Sequence, residues 1–524
     1  MDPTSLQSAT SIALKIPEIL ELIASFIGEN KHLASCARVC KTWHEIFSAF
    51  LYYSLQIRPN STIDSISAGI RNATHVQYLD LWTDVAEGQY PLPFNKLRTL
   101  HITHRYPKIP NFVISQVADL IMGNGETLQD VTFCRLYEPS TNPMWEAISS
   151  CKRINKVRFH HCTVDEQIWD AISKVRRLIF THSYIAFSSV KAPLTAASPP
   201  KLLNLQYLEI FRTVGTQGEG FIRIIQHAPN LSSLRFDPDL NAQTIPYAHQ
   251  FATALKECRN LRHLILVNSI LSGEGNTMIL DSLTDSKTLH WSVDGFPEQA
   301  IRSLMSRHSR TITDLYLTGA TGLTSRMAQT IMTGCPMLES LTLNTISGTD
   351  LVRVVEVDQE NQDGFEDTDQ VIVGEDWICL GLKELKIEFD LSSKEMNIDR
   401  DTPEGEEKFQ RQQQLEQYHA FRQIGRLTHL RRLDISGDGF RAGNERTLDL
   451  RLRSNGGGLE GIMGLRDLRY FHFENTKQEL SEEEIDWITS RFPRLGSFMG
   501  TYHSDEPKNT DLRTYFWKRT QEGR

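Results

Sequence analysis

Histidine, cysteine and the acidic residues are the side chains that could do chemistry, and their spacing decides which chemistry is open. The 524-residue chain has 17 histidines and 8 cysteines. His160-His161-Cys162 and the pair Cys36 and Cys40 have the residue types of metal ligands. The triplet directly follows a segment with strand periodicity. Neighbouring side chains there point to opposite faces, which keeps the three off one ion. Cys36 and Cys40 lie a helical turn apart, with no second ligand pair at finger-like spacing. No metal and no cofactor is predicted. The chain contains no G-x-x-x-x-G-K-[ST], G-x-S-x-G or H-E-x-x-H. The glycines at 456–458 are not followed by a phosphate-cradling Lys-Ser/Thr. No catalytic residue is predicted, and the chain reads as a non-enzyme.

Four of the eight cysteines share a different kind of spacing. Cys151, Cys258, Cys335 and Cys379 each stand three residues before the first apolar residue of a recurring pattern, and Ala228 takes the same place in its copy. Such a position suits a small buried hydrophobe at a helix-to-strand corner. The pattern itself is apolar-x-x-apolar-x-apolar. It reads VQYLDL at 76–81, LRTLHI at 97–102, LQDVTF at 128–133, INKVRF at 154–159 and VRRLIF at 175–180. It continues through LQYLEI, LSSLRF and LRHLIL to ITDLYL, LESLTL, LKELKI, LRRLDI and LRYFHF at 468–473, with degraded copies at 289–293 and 495–500. Most successive copies start roughly 21–31 residues apart, the spacing of leucine-rich repeats.

The last two apolar residues of each copy share one face of a strand. Segments such as MWEAISSCKRI and FATALKECRNL, with helical spacing, precede many copies. A helix leading into a short strand cannot bury its apolar face alone, but stacked copies form a continuous core. The predicted fold is therefore α/β: a curved solenoid with a parallel concave sheet and convex helices. The residue between the two inward positions faces the concave side. This places Asp80, His101, Thr132, Arg158, Ile179, Glu209, Arg235, Ile265, Tyr316, Thr342, Lys386, Asp434 and His472 there. His101, Arg158, Glu209, Arg235, Tyr316, Lys386, Asp434 and His472 are the candidate ligand contacts. Their mixed signs suit a protein ligand better than a nucleic-acid groove.

Composition agrees. A net charge of −9 and a pI near 6.0 do not make the basic surface that general nucleic-acid binding needs. No run of about 18 apolar residues offers a membrane span. The first residues, MDPTSLQSATSIALK, lack the basic start and apolar block of a secretory signal. Few cysteines for the length point to a reducing compartment, cytoplasmic or nuclear.

Ahead of the repeats, residues 14–57 predict three short helices. Pro17 suits a first helical position. Ile19, Leu20, Ile23, Phe26 and Ile27 then follow a 3–4 spacing, and Gly28 with Asn30 supplies a stop. Leu33, Cys36 and Val39 mark a second helix, and Trp43, Ile46, Phe47 and Phe50 a third. So small a unit is marginal without a partner or neighbour.

Ile16-Pro17-Glu18-Ile19-Leu20, then Leu33, then Val39-Cys40-Lys41-x-Trp43, resembles the F-box. Ile16 stands for the family's usual leucine, and Leu51-Tyr52-Tyr53 stands where a leucine-tryptophan pair often ends it. With the repeats behind it, the chain resembles F-box/leucine-rich-repeat proteins of fungal type. The resemblance implies a module that docks on the Skp-family adaptor of a cullin/RING (SCF-type) ubiquitin ligase, with the repeats capturing a protein substrate. The adaptor-facing residues it implies are Ile16, Pro17, Ile19, Leu20, Ile23, Leu33, Val39, Cys40 and Trp43. The alternatives are a scaffold outside ubiquitin chemistry whose helices only cap the solenoid, and an enzyme with a dispersed site on the concave face.

Three domains follow: residues 1–58, the helical module with a short disordered tail; 59–503, the repeats; and 504–524, a C-terminal cap. Two insertions break the period. Residues 350–376 carry ten acids and one arginine and read as a solvated loop. Residues 391–417 are charged and Gln-rich, leading into a long helix.

Overall fold

Three helices open the chain: α1 (Pro17–Phe26), α2 (Asn30–Cys36) and α3 (Lys41–Leu51). Pro17 occupies the first turn of α1, where its missing N–H costs nothing. α2 ends at Cys36, so Val39 lies in the connection to α3 rather than on the second helix. The computed structural model describes residues 13–59, 61–84, 92–105, 110–137, 142–185, 201–212, 219–237, 245–267, 273–292, 296–318, 323–347, 352–355, 370–373, 375–391, 402–436, 448, 450, 459–474 and 478–522. The chain divides into two compact units, residues 1–239 with 257–260, and residues 240–256 with 261–524.

In the first unit the three helices lead straight into β1 (Ser54–Ile57), a strand the periodicity did not predict. After it come α4 (Ile63–Arg71), β2 (Tyr78–Trp82), β3 (Thr99–Thr103), α5 (Asn111–Gly123) and β4 (Asp130–Cys134). Next are α6 (Asn142–Ser150), β5 (Lys156–His160), β6 (Thr163–Val164), α7 (Trp169–Ile172) and β7 (Arg177–Thr181). β8 (Tyr184–Ile185), β9 (Tyr207–Phe211), α8 (Glu219–Gln226) and β10 (Ser233–Asp237) complete it. The order β1-β2-β3-β4-β5-β7-β9-β10 is that of the sequence, and every pair is parallel. β6 and β8 pair separately.

The register explains the repeat pattern. Leu79, Leu100, Val131, Val157, Leu178, Leu208 and Leu234 stand side by side across the sheet, all fully buried. Two residues on, Phe133, Phe159 and Phe180 stack at 5.6 and 5.2 Å between ring centroids. Trp145 of α6 meets Phe133 and Phe159 edge-on, so this face of the sheet packs on the helices. Each large side chain so buried contributes about 1.5–3 kcal/mol against exposure.

The second unit repeats the plan. Its elements are α9 (Ile245–Glu257), β11 (His263–Val267), α10 (Gly273–Ser282), β12 (Thr288–Ser292), α11 (Glu298–His308), β13 (Asp314–Leu317), α12 (Ser325–Gly334) and β14 (Ser340–Ser347). β15 (Val352–Val355), β16 (Gln370–Val373), β17 (Glu384–Asp390), α13 (Pro403–Gly425) and β18 (Arg432–Asp434) follow. β19 (Tyr470–Phe473), α14 (Glu482–Arg491), β20 (Ser497–Gly500) and α15 (Glu506–Glu522) end the chain. The parallel order is β11-β12-β13-β14-β17-β18-β19-β20. The copies at 289–293 and 495–500, degraded in sequence, pair in full register as β12 and β20.

The insertions sit between strands, as expected. Residues 350–376 are not wholly the loop the acidic composition predicts: Val352–Val355 and Gln370–Val373 pair antiparallel. The β-branched runs VRVV and QVIV favour a ribbon over coil. The acidic stretch 356–369 lies outside the described residues, as do residues 1–12, 392–401 and the glycines at 456–458. α13 is the predicted long helix. Thr402 caps it by accepting from Gly405 N at 3.1 Å, and Pro403 opens its first turn. In the C-terminal tail Phe516 is buried with Tyr502 and Phe498, while Trp517 is exposed.

Candidate functional site

Two surfaces follow from this architecture. The first belongs to the helical module. Its core is Leu20, Ala24, Leu33, Ala37 and Phe47, flanked by Ile23, Ile27, Cys36, Trp43, Ile46, Phe50 and Leu51. Trp43 stacks on Phe47 at 5.0 Å, and its indole N–H donates to Leu14 O at 3.1 Å. That bond ties the segment before α1 to α3. The structure thus places Leu20 and Leu33, both expected to meet a partner, inside the module itself. Ile23 and Trp43 are half-buried against the core and Ile19 is half-buried, while Pro17 and Cys40 are exposed.

Several large apolar side chains look outward. Phe26 is 80% exposed, Val39 61%, Leu22 58% and Ile16 39%. On a helix, Ile19, Leu22 and Phe26 fall at i, i+3 and i+7, a second stripe beside the one that carries Leu20, Ala24 and Ile27. Sequence reasoning put Phe26 in a single apolar stripe with Leu20 and Ile23 and passed over Leu22. The spacing held the signal: α1 has two apolar faces and only one core to fill.

The second surface is the open face of the sheet. The predicted row is a ladder of directly paired residues. In the first unit Gln56, Asp80, His101, Thr132, Arg158, Ile179, Glu209 and Arg235 stand in consecutive register. In the second, Ile265, His290, Tyr316, Thr342, Lys386, Asp434, His472 and Met499 do. Gln56, His290 and Met499 are additions to the predicted row, contributed by the unpredicted β1 and the two degraded copies.

Several rungs are held. Asp80 is buried and accepts from Arg58 Nε at 2.7 Å, with His101 Nδ1 at 3.5 Å. Burial pushes the His101 pKa down, against the pull of Asp80. Tyr207 donates its hydroxyl to Glu209 at 2.7 Å, and Arg235 stands 3.6 Å from the same carboxylate. Burial and that bond raise the Tyr207 pKa to about 12. Tyr316 Oη is 2.8 Å from Ser340 Oγ, Lys386 Nζ is 3.9 Å from Asp434, and His472 Nε2 is 3.5 Å from Ser497 Oγ. In the first unit the face sinks into a groove of about 540 Å³ that includes His101, Thr132, Arg158, His160, Thr181 and Glu209 in its lining.

The cysteines at the helix-to-strand corners are buried. Cys151 and Cys258 donate to Ala147 O and Ala228 O, each at 3.4 Å. Burial pushes the Cys151 thiol up to about 11 and the Cys258, Cys335 and Cys379 thiols up to about 12. They stay protonated at neutral pH and pack as small hydrophobes. The triplet at 160–162 corrects one expectation. His160 and His161 do not point apart: their rings lie 4.4 Å from centroid to centroid. His161 has φ 53°, which ends the strand's alternation immediately after His160. Cys162 faces the other way, buried, donating to Phe133 O at 3.3 Å. Among the described residues no group of three or more His, Cys, Asp or Glu side chains is placed to hold a metal ion. No described helix is long and apolar enough to cross a membrane.

Residues 17–58 match the F-box-like family. No curated protein matches the chain. Among solved structures it is similar to an internalin from Listeria monocytogenes at 9% identity, with 90% of this chain and 88% of that chain covered and a TM-score of 0.29. The repeat assignment rests on the recurring pattern and the parallel, in-sequence strand order of each unit. Residues 17–58 thus form an F-box-like domain, followed by an array of repeated helix–strand units whose strands are parallel and in sequence order within each unit.

Proposed function

We propose that this chain is a substrate-recognition subunit of an SCF-type ubiquitin ligase. Its F-box-like domain binds a Skp-family adaptor, and through it the cullin and RING subunits, while the open face of the sheet binds a protein substrate. The chemistry belongs to the partner enzymes. The observation that carries the reading is the exposed apolar set of Ile16, Leu22, Phe26 and Val39, with half-buried Ile19 beside them, on a domain whose core is already filled. A helix that only capped the repeats would need an inward face alone. Exposed Phe and Leu on a small soluble module point to a buried anchor in a complex. Pro17 and Cys40 complete the proposed adaptor contact, and Leu20, Leu33 and Trp43 hold it in shape. All eight cysteines are free, which supports a reducing compartment, cytoplasmic or nuclear.

Adaptor capture tests this. The wild-type chain binds immobilised Skp-family adaptor at micromolar concentration, and Leu22→Asp with Phe26→Asp abolishes capture while circular dichroism stays unchanged. Leu20→Asp is the wrong probe, because it puts a charge in the core. A wild-type chain that ignores the adaptor, or a double variant that still binds it, defeats the proposal.

A further inference from the structure

The groove on the first unit's open face has an uneven charge. β5 presents Lys156, Arg158 and His160 at alternate positions, so all three rise from the same face, about 6.6 Å apart. Their flanks are short: Thr132 and Cys134 on β4, Ile179 and Thr181 on β7. Neither Lys156 nor Arg158 makes a side-chain ion pair or hydrogen bond among the described residues. The acids nearby are largely spoken for. Glu209 is held by Tyr207 and Arg235, and Asp80 by Arg58 and His101. Lys156 is in register with Asp130 on one side and with Arg177 on the other.

A second row borders the groove at the strand ends. Arg135, His161, His182 and Arg212 directly follow β4, β5, β7 and β9, and have φ of 62°, 53°, 48° and 45°. Non-glycine residues rarely adopt this left-handed conformation, and it persists only where the surroundings enforce it. Here each N–H donates to a carbonyl one strand further on: Arg135 to His160, His161 to Thr181, His182 to Phe211 and Arg212 to Asp237, at 2.6–2.9 Å. The His161 and His182 rings stack at 4.8 Å, and the Arg212 guanidinium lies 5.3 Å from the Phe211 ring centre. Four basic or titratable residues thus recur at one repeat position, in a chain whose net charge is −9.

We propose that this groove binds an extended acidic segment of a protein partner, with carboxylates at alternate residues meeting Lys156, Arg158 and His160. An extended peptide repeats its same-side residues about every 6.8 Å, nearly the spacing along β5. The row from Arg135 to Arg212 widens the positive rim where the segment leaves the groove. A long polyanion such as nucleic acid fits less well, because the chain as a whole repels it. The proposal deepens the substrate half of the function above and rests on it; it does not depend on the adaptor half.

The histidines make the binding pH-dependent. Burial lowers the His160 pKa first, and the facing His161, His182, His101 and Arg135 lower it further. Burial, His182 and Arg135 do the same to His161. A bound carboxylate offsets that repulsion and favours the protonated rings. Affinity therefore rises as pH falls below about 6.5, until the ligand's own carboxylates protonate near pH 4.

The test uses the full-length chain and a fluorescein-labelled peptide of alternating Glu and Ser, read by anisotropy at low salt. Binding saturates, weakens with added salt, and strengthens as pH falls from about 6.5 to about 5. Lys156→Gln with Arg158→Gln weakens it roughly tenfold, while Lys386→Gln on the second unit's face leaves it unchanged. His160→Gln with His161→Gln flattens the pH dependence. All variants keep the wild-type circular dichroism and still capture the adaptor, which separates this test from that of the F-box-like domain. The proposal is overturned if the Glu-Ser peptide does not bind. It also fails if Lys386→Gln weakens binding equally, or if only a phosphoserine peptide or an oligonucleotide binds.

Discussion

Asn124 is buried, and its side chain does three things at once. Its amide donates to Phe94 O at 2.9 Å and to Leu120 O at 2.8 Å, and its carbonyl accepts from Leu97 N at 2.8 Å. It thereby pins the irregular run before β3 to the end of α5. Asn124→Ala leaves one donor and two acceptors without partners in the interior, so the expected loss is about 3 kcal/mol. Faster hydrogen exchange over Asn111–Gly123, which reports the first unit, checks this, and unchanged exchange refutes it. Nothing in the string Gly-Asn-Gly marked this residue out, because turn residues are common and two of its three partners lie 27 and 30 positions away. The left-handed row from Arg135 to Arg212 was hidden for a related reason. Arginine and histidine seldom adopt positive φ, so only the neighbouring strand that binds their N–H groups reveals the conformation. Leu20, by contrast, was legible as apolar and helical but not as inward, since the same helix also carries an outward stripe.

At the scale of elements, local period and packing divide the credit. The strands were legible because two buried positions and a polar one between them recur with little drift, and the register shows why: every copy must match its neighbour. β1 escaped because Ser-Leu-Gln-Ile offers too few apolar residues, and it is ordered by pairing with β2 and not by its own pattern. β12 keeps its register although Trp291 replaces the usual aliphatic residue. The ring is fully buried, and its N–H donates to Asn276 Oδ1 at 3.2 Å. α13 was legible as a helix, but its seat was not. Gly425, its last residue, approaches the turn at Leu459–Ile462 so closely that an added Cβ would lie 1.9 Å from Gly461 O. Gly425→Ala improves helix propensity by up to about 1 kcal/mol. The clash is with backbone on both sides, so the net expectation is a loss of about 1–3 kcal/mol. Faster hydrogen exchange over Pro403–Gly425 tests it; slower exchange in the variant shows that α13 does not sit tightly on this turn.

For the molecule as a whole, pH sets two effects against each other. Acidification from neutral brings the chain toward its pI near 6.0 and removes much of its net negative charge, which favours compact states. The histidines act in the opposite direction. His308 is fully buried and Nε2 donates to Leu280 O at 3.2 Å. Burial pushes its pKa down, with Arg307 adding to the shift and the Leu280 bond and nearby acids opposing it. His101, His227 and His419 are lowered as well, burial first in each. Above the unfolded pKa of about 6.5 both folded and unfolded histidines are neutral, and this stability is fully present. As pH falls through 6.5 the unfolded chain takes up protons that the folded chain refuses, so stability drops until the folded pKa is reached. A tenfold weaker hold on a proton corresponds to about 1.4 kcal/mol, and several sites contribute, whereas relief of exposed charge is screened by salt. The histidines should therefore win, and the protein should lose stability between about pH 7 and about pH 5.5. Because the chain has two compact units, a single global midpoint is a poor readout. Hydrogen exchange over Glu298–His308, corrected for intrinsic rates, reports the second unit directly. Protection there should fall with pH in the wild-type chain and fall less in His308→Gln, which keeps a donor but cannot titrate. Protection that rises on acidification would mean that net charge outweighs the buried imidazoles. In the first unit the same acidification that weakens the fold strengthens the β5 groove for an acidic segment, so a bound segment should offset part of the loss by mass action.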